Sequence, residues 1–220
     1  VMLFGNRAGA IAQCIIQSGF LKPYDCIGDD MDIQMIQKMN MMGIETARDI
    51  AQIINQSAFV FVGVKPQVVE SLLIPYKEQL KEKALISIVL GYDFEKYQQL
   101  LDDSTRHISV MPNTPVQVEQ GMSLIEERHS LKKEEFEFVR KMFEAIGCVE
   151  VVPSHLMATA GTLSGCGPAF VYMMIEALAD GAVKEGVPRA LAYQLASQTL
   201  AGAAIMQQKK QQHPGVLNDQ

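Results

Sequence analysis

Gly9 and Ala12, in the stretch FGNRAGAIAQCII (4–16), stand at two of the three small positions of a G-x-G-x-x-A loop, with Arg7 at the place of the first glycine. Such a loop works through its backbone. Small residues permit a tight turn and close approach, and a pyrophosphate sits on the N–H groups that open the following helix. Gly9, Ala10 and Ile11 are the candidates for that contact. About 20 residues past such a turn an acidic side chain receives the ribose 2′-hydroxyl, and Asp29 and Asp30 stand there. Paired carboxylates repel a 2′-phosphate, so this chemistry favours NAD over NADP. The glycine pattern alone fits a plain strand–turn–helix equally well. The aspartates, Asp32 included, also fit a solvated turn that caps a helix.

Three further stretches carry polar or conformationally special residues. In VGVKP (62–66), Lys65 precedes Pro66, which stiffens the turn as the next helix begins; an ordinary surface lysine is the alternative. In VMPNTP (110–115), two prolines bracket Asn113 and Thr114 just after Met111, and hold a polar pair on a stiff loop; a structural turn is the alternative. Both loops leave the C-terminal ends of strands, where ligands of open α/β sheets bind. In GTLSGCGPAF (161–170), Ser164, Gly165, Cys166, Gly167 and Pro168 interrupt a helical pattern. A proline inside a helix costs about 3 kcal/mol, so a break is expected, freeing backbone N–H groups for an anion such as a carboxylate. A simple connection between two core helices is the alternative.

Other chemistries find no support. His107, His129, His155 and His213 lack metal-ligand spacing, and Cys14, Cys26, Cys148 and Cys166 show no C-x-x-C. Neither a G-x-S-x-G elbow nor a G-x-x-x-x-G-K loop occurs.

These loops need a scaffold. Up to about Val152, short apolar runs alternate with amphipathic stretches, the pattern of a parallel α/β sheet. Strands are expected at Met2–Gly5, Asp25–Gly28, Ala58–Gly63, Ala84–Val89, His107–Met111, Met122–Ile125 and Cys148–Val152. Helices are expected at Gly9–Ser18, Asp32–Met42, Ala47–Asn55, Gln67–Leu80, Asp93–Leu100 and Lys132–Ala145. AFVFVGV is apolar on both faces, as a central strand covered on both sides should be. From Ser154, placed to cap a helix, to Gln208 only helical spacing recurs, with a stop and restart at GVPRA (186–190). The reading is a mostly parallel α/β sheet domain over 1–152, followed by an all-helical domain over 153–220.

A net charge of −6 without a basic block argues against a nucleic-acid partner. The apolar runs look broken well short of the ~20 residues that cross a bilayer, and no signal peptide precedes them. Unpaired cysteines suit a reducing, cytoplasmic compartment. The first residue is Val1 rather than Met, so a natural start upstream is expected.

The loops VGVKP, ISIVLG, VMPNTPVQV, LSGCGPAF, EALADGAVKEGVPRALA and HPGVLNDQ, in this order, resemble pyrroline-5-carboxylate reductase. The resemblance is strong from about Phe61 onward and weaker before it. It implies a Rossmann-like domain, a helical domain that interlocks into homodimers, and a ring of five dimers in some members. It implies hydride transfer from NADPH or NADH to the C=N carbon of pyrroline-5-carboxylate, giving L-proline. Val64, Lys65 and Pro66 would line the ribose and nicotinamide side of the cofactor. Asn113 and Thr114 would lie near the nicotinamide, while Met111 and the Ser164–Pro168 run would face the substrate. Orientation, water exclusion and charge stabilisation would carry the catalysis, with no strong general base.

Four departures from the family pattern stand out. Arg7 and Phe4 replace usual glycines, and Asp29-Asp30 replace an Asn-Arg-like pair. Ile50 stands after Asp49 where Asn is common, and Cys166 replaces a serine. The family continues past HPGVLNDQ through an S-P-G-G-T-T-like loop, which holds the substrate carboxylate and supplies a threonine near the ring nitrogen. The expectation is therefore that residues 1–220 lack part of the substrate site and of the dimer interface, and that the catalytic residue is unknown. A non-catalytic relative that keeps the fold for assembly or regulation is the alternative.

Overall fold

The computed structural model describes residues 2–4, 6–29 and 32–219, with side chains from residue 8 onward. Among these residues eight strands form one sheet: β1 (Met2–Phe4), β2 (Ile27–Asp29), β3 (Glu45–Thr46), β4 (Phe59–Val62), β5 (Ala84–Ser87), β6 (Arg106–Pro112), β7 (Gly121–Glu126) and β8 (Gly147–Val152). Their order is β3-β2-β1-β4-β5-β6-β7-β8. The pairings are parallel except for β6 with β7, which run antiparallel. The helices are α1 (Asn6–Gln17), α2 (Ile33–Met41), α3 (Ile50–Gln56), α4 (Val69–Leu73), α5 (Phe94–Leu100), α6 (Lys133–Glu144), α7 (Met157–Lys184), α8 (Arg189–Lys210) and α9 (Pro214–Asn218).

Local chemistry sets several of these boundaries. Asp32, Asp49 and Asp93 each accept a backbone N–H of the helix that follows, from Gln34 at 2.9 Å, Gln52 at 2.7 Å and Lys96 at 3.1 Å. β4 is covered on both faces, as its unbroken apolar run requires. Phe61 joins a cluster with Ala8 and Ile15 of α1 and Val139 and Phe143 of α6. Val60 and Val62 join another with Ile53 of α3 and Val69 of α4. The mostly parallel α/β class read from the alternating pattern is the one observed.

Three expectations need correction. α1 opens at Asn6 rather than Gly9, so Arg7 and Gly9 lie inside the helix. The stretch read as one helix over Gln67–Leu80 is a 3-10 turn (Pro66–Val68), α4, and a second 3-10 turn (Ile74–Tyr76), since Pro66 and Pro75 each start a new turn. Ser154 does not cap a helix. It opens a 3-10 turn before α7.

By its contacts the chain divides into two compact units, Val1–Gly165 and Cys166–Gln220. In the second unit, α7 ends at a turn where Gly186 takes φ +96°, and its amide donates to Val183 O at 3.0 Å. Arg189 pairs with Asp180 across this turn. Ala179, Ala192 and Ala196 are buried, while Phe170, Tyr172, Met173, Leu178 and Leu195 are exposed. Small residues inside and large apolar ones outside make a surface suited to another protein. The continuous helical stretch Ser154–Lys184 is long and apolar enough, by length and composition, to cross a membrane. That corrects the view that every apolar run is too short.

Candidate functional site at the strand C-termini

The strand order reverses between β1 and β4, and ligands of open α/β sheets bind in the crevice beyond that point. α1 starts immediately after β1, and Gly63 follows β4. A Cβ on Gly63 would lie 2.7 Å from the Ala8 amide nitrogen and 2.8 Å from the Ala8 Cβ, so only glycine lets the end of β4 come this close. Ala8 lies in the first turn of α1, where backbone N–H groups have no helical acceptor. Glycine at 63 thus lets the end of β4 pack directly against that first turn, where the helix dipole adds partial positive charge.

Gly9 is buried, and a Cβ on it would stand 3.1 Å from Met35 Cε of α2. Ala10 is half-buried, whereas Ile11 points into the core. Val64 is half-buried; Lys65 and Pro66 are exposed. Lys65 is extended (φ −66°, ψ 145°) before the turn that Pro66 opens, and its carbonyl accepts from Val68 N at 2.9 Å. Asp29, half-buried, ends β2 in register with Phe4 of β1. Asp30 and Gly5 lie outside the described residues, as do the side chains of Phe4 and Arg7. First-turn amide donors fit a pyrophosphate, and a carboxylate at the end of β2 fits a ribose hydroxyl. The residues present therefore suit a dinucleotide.

The second loop leaves β6. Met111 is half-buried and lies on Gly161 of α7, where a Cβ would overlap the Met111 sulfur. Asn113 uses both ends of its side-chain amide. Its Oδ1 accepts from Met122 N at 2.8 Å, and its Nδ2 donates to Ser164 O at 3.0 Å. Thr114 is exposed and opens a 3-10 turn, Thr114–Val118. Val116 of that turn shares a buried cluster with Ala8, Ile11 and Ala12, which ties this loop to α1. It also fills the space left by Gly121, where a Cβ would overlap it.

The third stretch departs from expectation. α7 runs without interruption from Met157 to Lys184 with Pro168 inside it, so no helix N-terminus opens at Gly165–Pro168. Ser164 is half-buried, Gly165 and Cys166 are exposed, and Gly167 and Pro168 are half-buried. The Ser164 hydroxyl is shut from solvent with no hydrogen-bond partner among the described residues.

Behind the loops lies a polar patch in the sheet. Glu126 Oε2 accepts from Phe94 N at 3.1 Å, and burial raises its carboxyl above the usual range. Burial, with a smaller contribution from His129, lowers His107 to about 4. Neither ring nitrogen of His107 has a hydrogen-bond partner among the described residues, and the ring centroid lies 4.7 Å from that of Phe94 and 5.8 Å from that of Tyr97.

Sequence reasoning overlooked Gly63 and Gly161 as contact points. Gly63 stood in the quoted VGVKP, where a glycine ending a buried strand signals close backbone approach. Nothing local marks Gly161, because its partner lies fifty residues away.

Comparison with known proteins identifies relatives of both parts. Residues 154–220 match the family model for pyrroline-5-carboxylate reductase dimerisation, and residues 3–91 match that for NADP oxidoreductase, coenzyme F420-dependent. The pyrroline-5-carboxylate reductase of Methanosarcina acetivorans is 36% identical over 217 residues, covering 98% of this chain and 80% of the relative. That of Arabidopsis thaliana is 35% identical, covering 98% of this chain and 78% of the relative. Among solved structures, Plasmodium falciparum pyrroline carboxylate reductase with NADP bound superimposes with a TM-score of 0.87 at 26% identity, covering 99% of this chain and 82% of that one.

Proposed function

The chain belongs to the pyrroline-5-carboxylate reductase family, and from that premise we propose that it reduces 1-pyrroline-5-carboxylate to L-proline with NADPH or NADH, the last step of proline biosynthesis. The observation that carries the reading is the close approach of Gly63, at the end of β4, to the first-turn amides of α1 where the strand order reverses. Gly9, Ala10 and Ile11 belong to the helix that presents those amides to the pyrophosphate. Asp29 and Asp30 take the ribose hydroxyls and favour NADH. Val64, Lys65 and Pro66 line the ribose and nicotinamide side, with Asn113 and Thr114 beside the nicotinamide. When bound, the reduced nicotinamide supplies the hydride. Met111, Ser164, Gly165, Cys166, Gly167 and Pro168 are assigned to the substrate. The work of these residues is orientation and the exclusion of water.

The functional boundary in this reading falls at Val152–Pro153, with a substrate and dimerisation region after it. The exposed apolar side chains of α7 and α8 support burial against a second copy rather than in a bilayer. A ring of five such dimers, a cytoplasmic location, and the absence of nucleic-acid and membrane partners complete the proposal.

The test is nucleotide oxidation by the full-length protein with pyrroline-5-carboxylate. Turnover with NADH or NADPH is expected. No turnover with either, together with no nucleotide binding by calorimetry, would leave a non-catalytic relative that keeps the fold for assembly or regulation.

A further inference from the structure

Pro168 lies within α7. In an α-helix each carbonyl accepts the N–H four residues on. For Ser164 that residue is Pro168, which has no N–H and whose ring crowds the carbonyl it faces. The Ser164 carbonyl is met instead from outside the helix, by Asn113 Nδ2 at 3.0 Å. The rest of Asn113 is held as firmly. Its Oδ1 accepts from Met122 N at 2.8 Å, and its own backbone N donates to Met122 O at 3.2 Å. One helical turn earlier, Met111 occupies the notch at Gly161. The end of β6 thus engages α7 on successive turns, the second time through a carbonyl that a proline has left without its helical donor. The residue so held, Ser164, also carries a buried hydroxyl with no partner among the described residues.

We propose that Asn113 is a positioning residue whose amide replaces the helical donor removed by Pro168, and so fixes where α7 presents Ser164. An amide suits the task because it donates to one backbone group while accepting from another. A carboxylate would set an acceptor against the Ser164 carbonyl. This role differs from direct contact with a nicotinamide, since both ends of the side chain are already engaged within the protein. Its kinetic consequence rests on the reductase reading; the replacement of the donor does not.

The test is a double-mutant cycle in the full-length protein. Asn113→Asp keeps the acceptor for Met122 N and removes the donor to Ser164 O, while Pro168→Ala returns an N–H to the helix. Asn113→Asp is expected to lower Tm by about 5 °C in the natural background but by less than about 2 °C beside Pro168→Ala. With Pro168 in place, KM for pyrroline-5-carboxylate rises about ten-fold, by more than the Kd for NADPH does. Equal Tm losses in the two backgrounds would overturn the proposal. So would a shift in NADPH Kd as large as that in KM, which direct cofactor contact demands. Should Asn113→Asp fail to fold, Asn113→Ala runs the same cycle. A natural protein without turnover would refute the reductase reading, while the Tm cycle would still decide whether Asn113 replaces the missing donor.

Discussion

Gly63 and Ala8 approach so closely that a Cβ on the first would stand 2.7 Å from the amide nitrogen of the second. This contact joins the end of the central strand β4 to the first turn of α1. It therefore couples the packing of the sheet to the placement of the helix amides.

Gly63→Ala tests that dual role. Overpacking of this kind costs about 1–3 kcal/mol, which lowers Tm by about 3–10 °C in a chain of this size. NADH and NADPH Kd values, measured by fluorescence titration, should rise at least about ten-fold as the helix is pushed from the strand end. Unchanged Kd values with a lowered Tm would restrict the contact to packing.

Cofactor preference should follow the acidic end of β2. The expected ratio of kcat/KM favours NADH, and Asp29→Asn should move it toward NADPH by about five-fold, as for loss of one nearby charge in a partly solvated site. A natural preference for NADPH, read from steady-state rates with both nucleotides, would remove the argument from Asp29.

Met111 and Gly161 form a pair that a substitution can crowd and then relieve. Gly161→Ala drives a methyl group into the Met111 sulfur and should cost about 1–3 kcal/mol. Its cost should be markedly smaller in a Met111→Ala background, because the obstructing side chain is gone. Thermal melts of the four proteins check this; additive losses would mean that the helix shifts instead.

His107 gives the fold a sensitivity to acid. Its folded-state value of about 4 lies below the ordinary 6.5. Between those values the unfolded chain binds the extra proton, so stability rises with pH and is complete only above the ordinary value. Falling from neutral pH to about pH 4 should cost about 3 kcal/mol through this group. Glu126, raised by burial, works in the opposite direction, so the informative quantity is the difference between the natural protein and His107→Gln. Urea unfolding across this range should show a flatter dependence in the variant; parallel curves would exclude His107 as the cause.

Much of the scaffold was legible because local patterns and the final fold agreed. AFVFVGV is apolar throughout and became β4, buried on both faces. The span Lys132–Ala145 has helical periodicity and became α6, Lys133–Glu144. β3 escaped notice because a two-residue strand carries no period. The helix break expected at Gly165–Pro168 followed correctly from the local penalty for proline, yet it does not occur. The compensating group, Asn113, lies 51 residues from Ser164, and no local rule brings the two together. The loops of the site were visible for the same reason that the glycine contacts were not. Prolines and glycines announce special backbone where they stand, but not what they stand against.

The Asn113–Ser164 bond has a bearing on how such chains can diverge. A lineage that loses Pro168 regains the helical donor and frees Asn113 to change; one that loses Asn113 first must carry an unsatisfied carbonyl until the proline goes. Drift at these two positions is therefore ordered, with the proline yielding before the amide. Chimeras that graft VMPNTP from one relative onto the helix of another should inherit or forfeit the match as a unit.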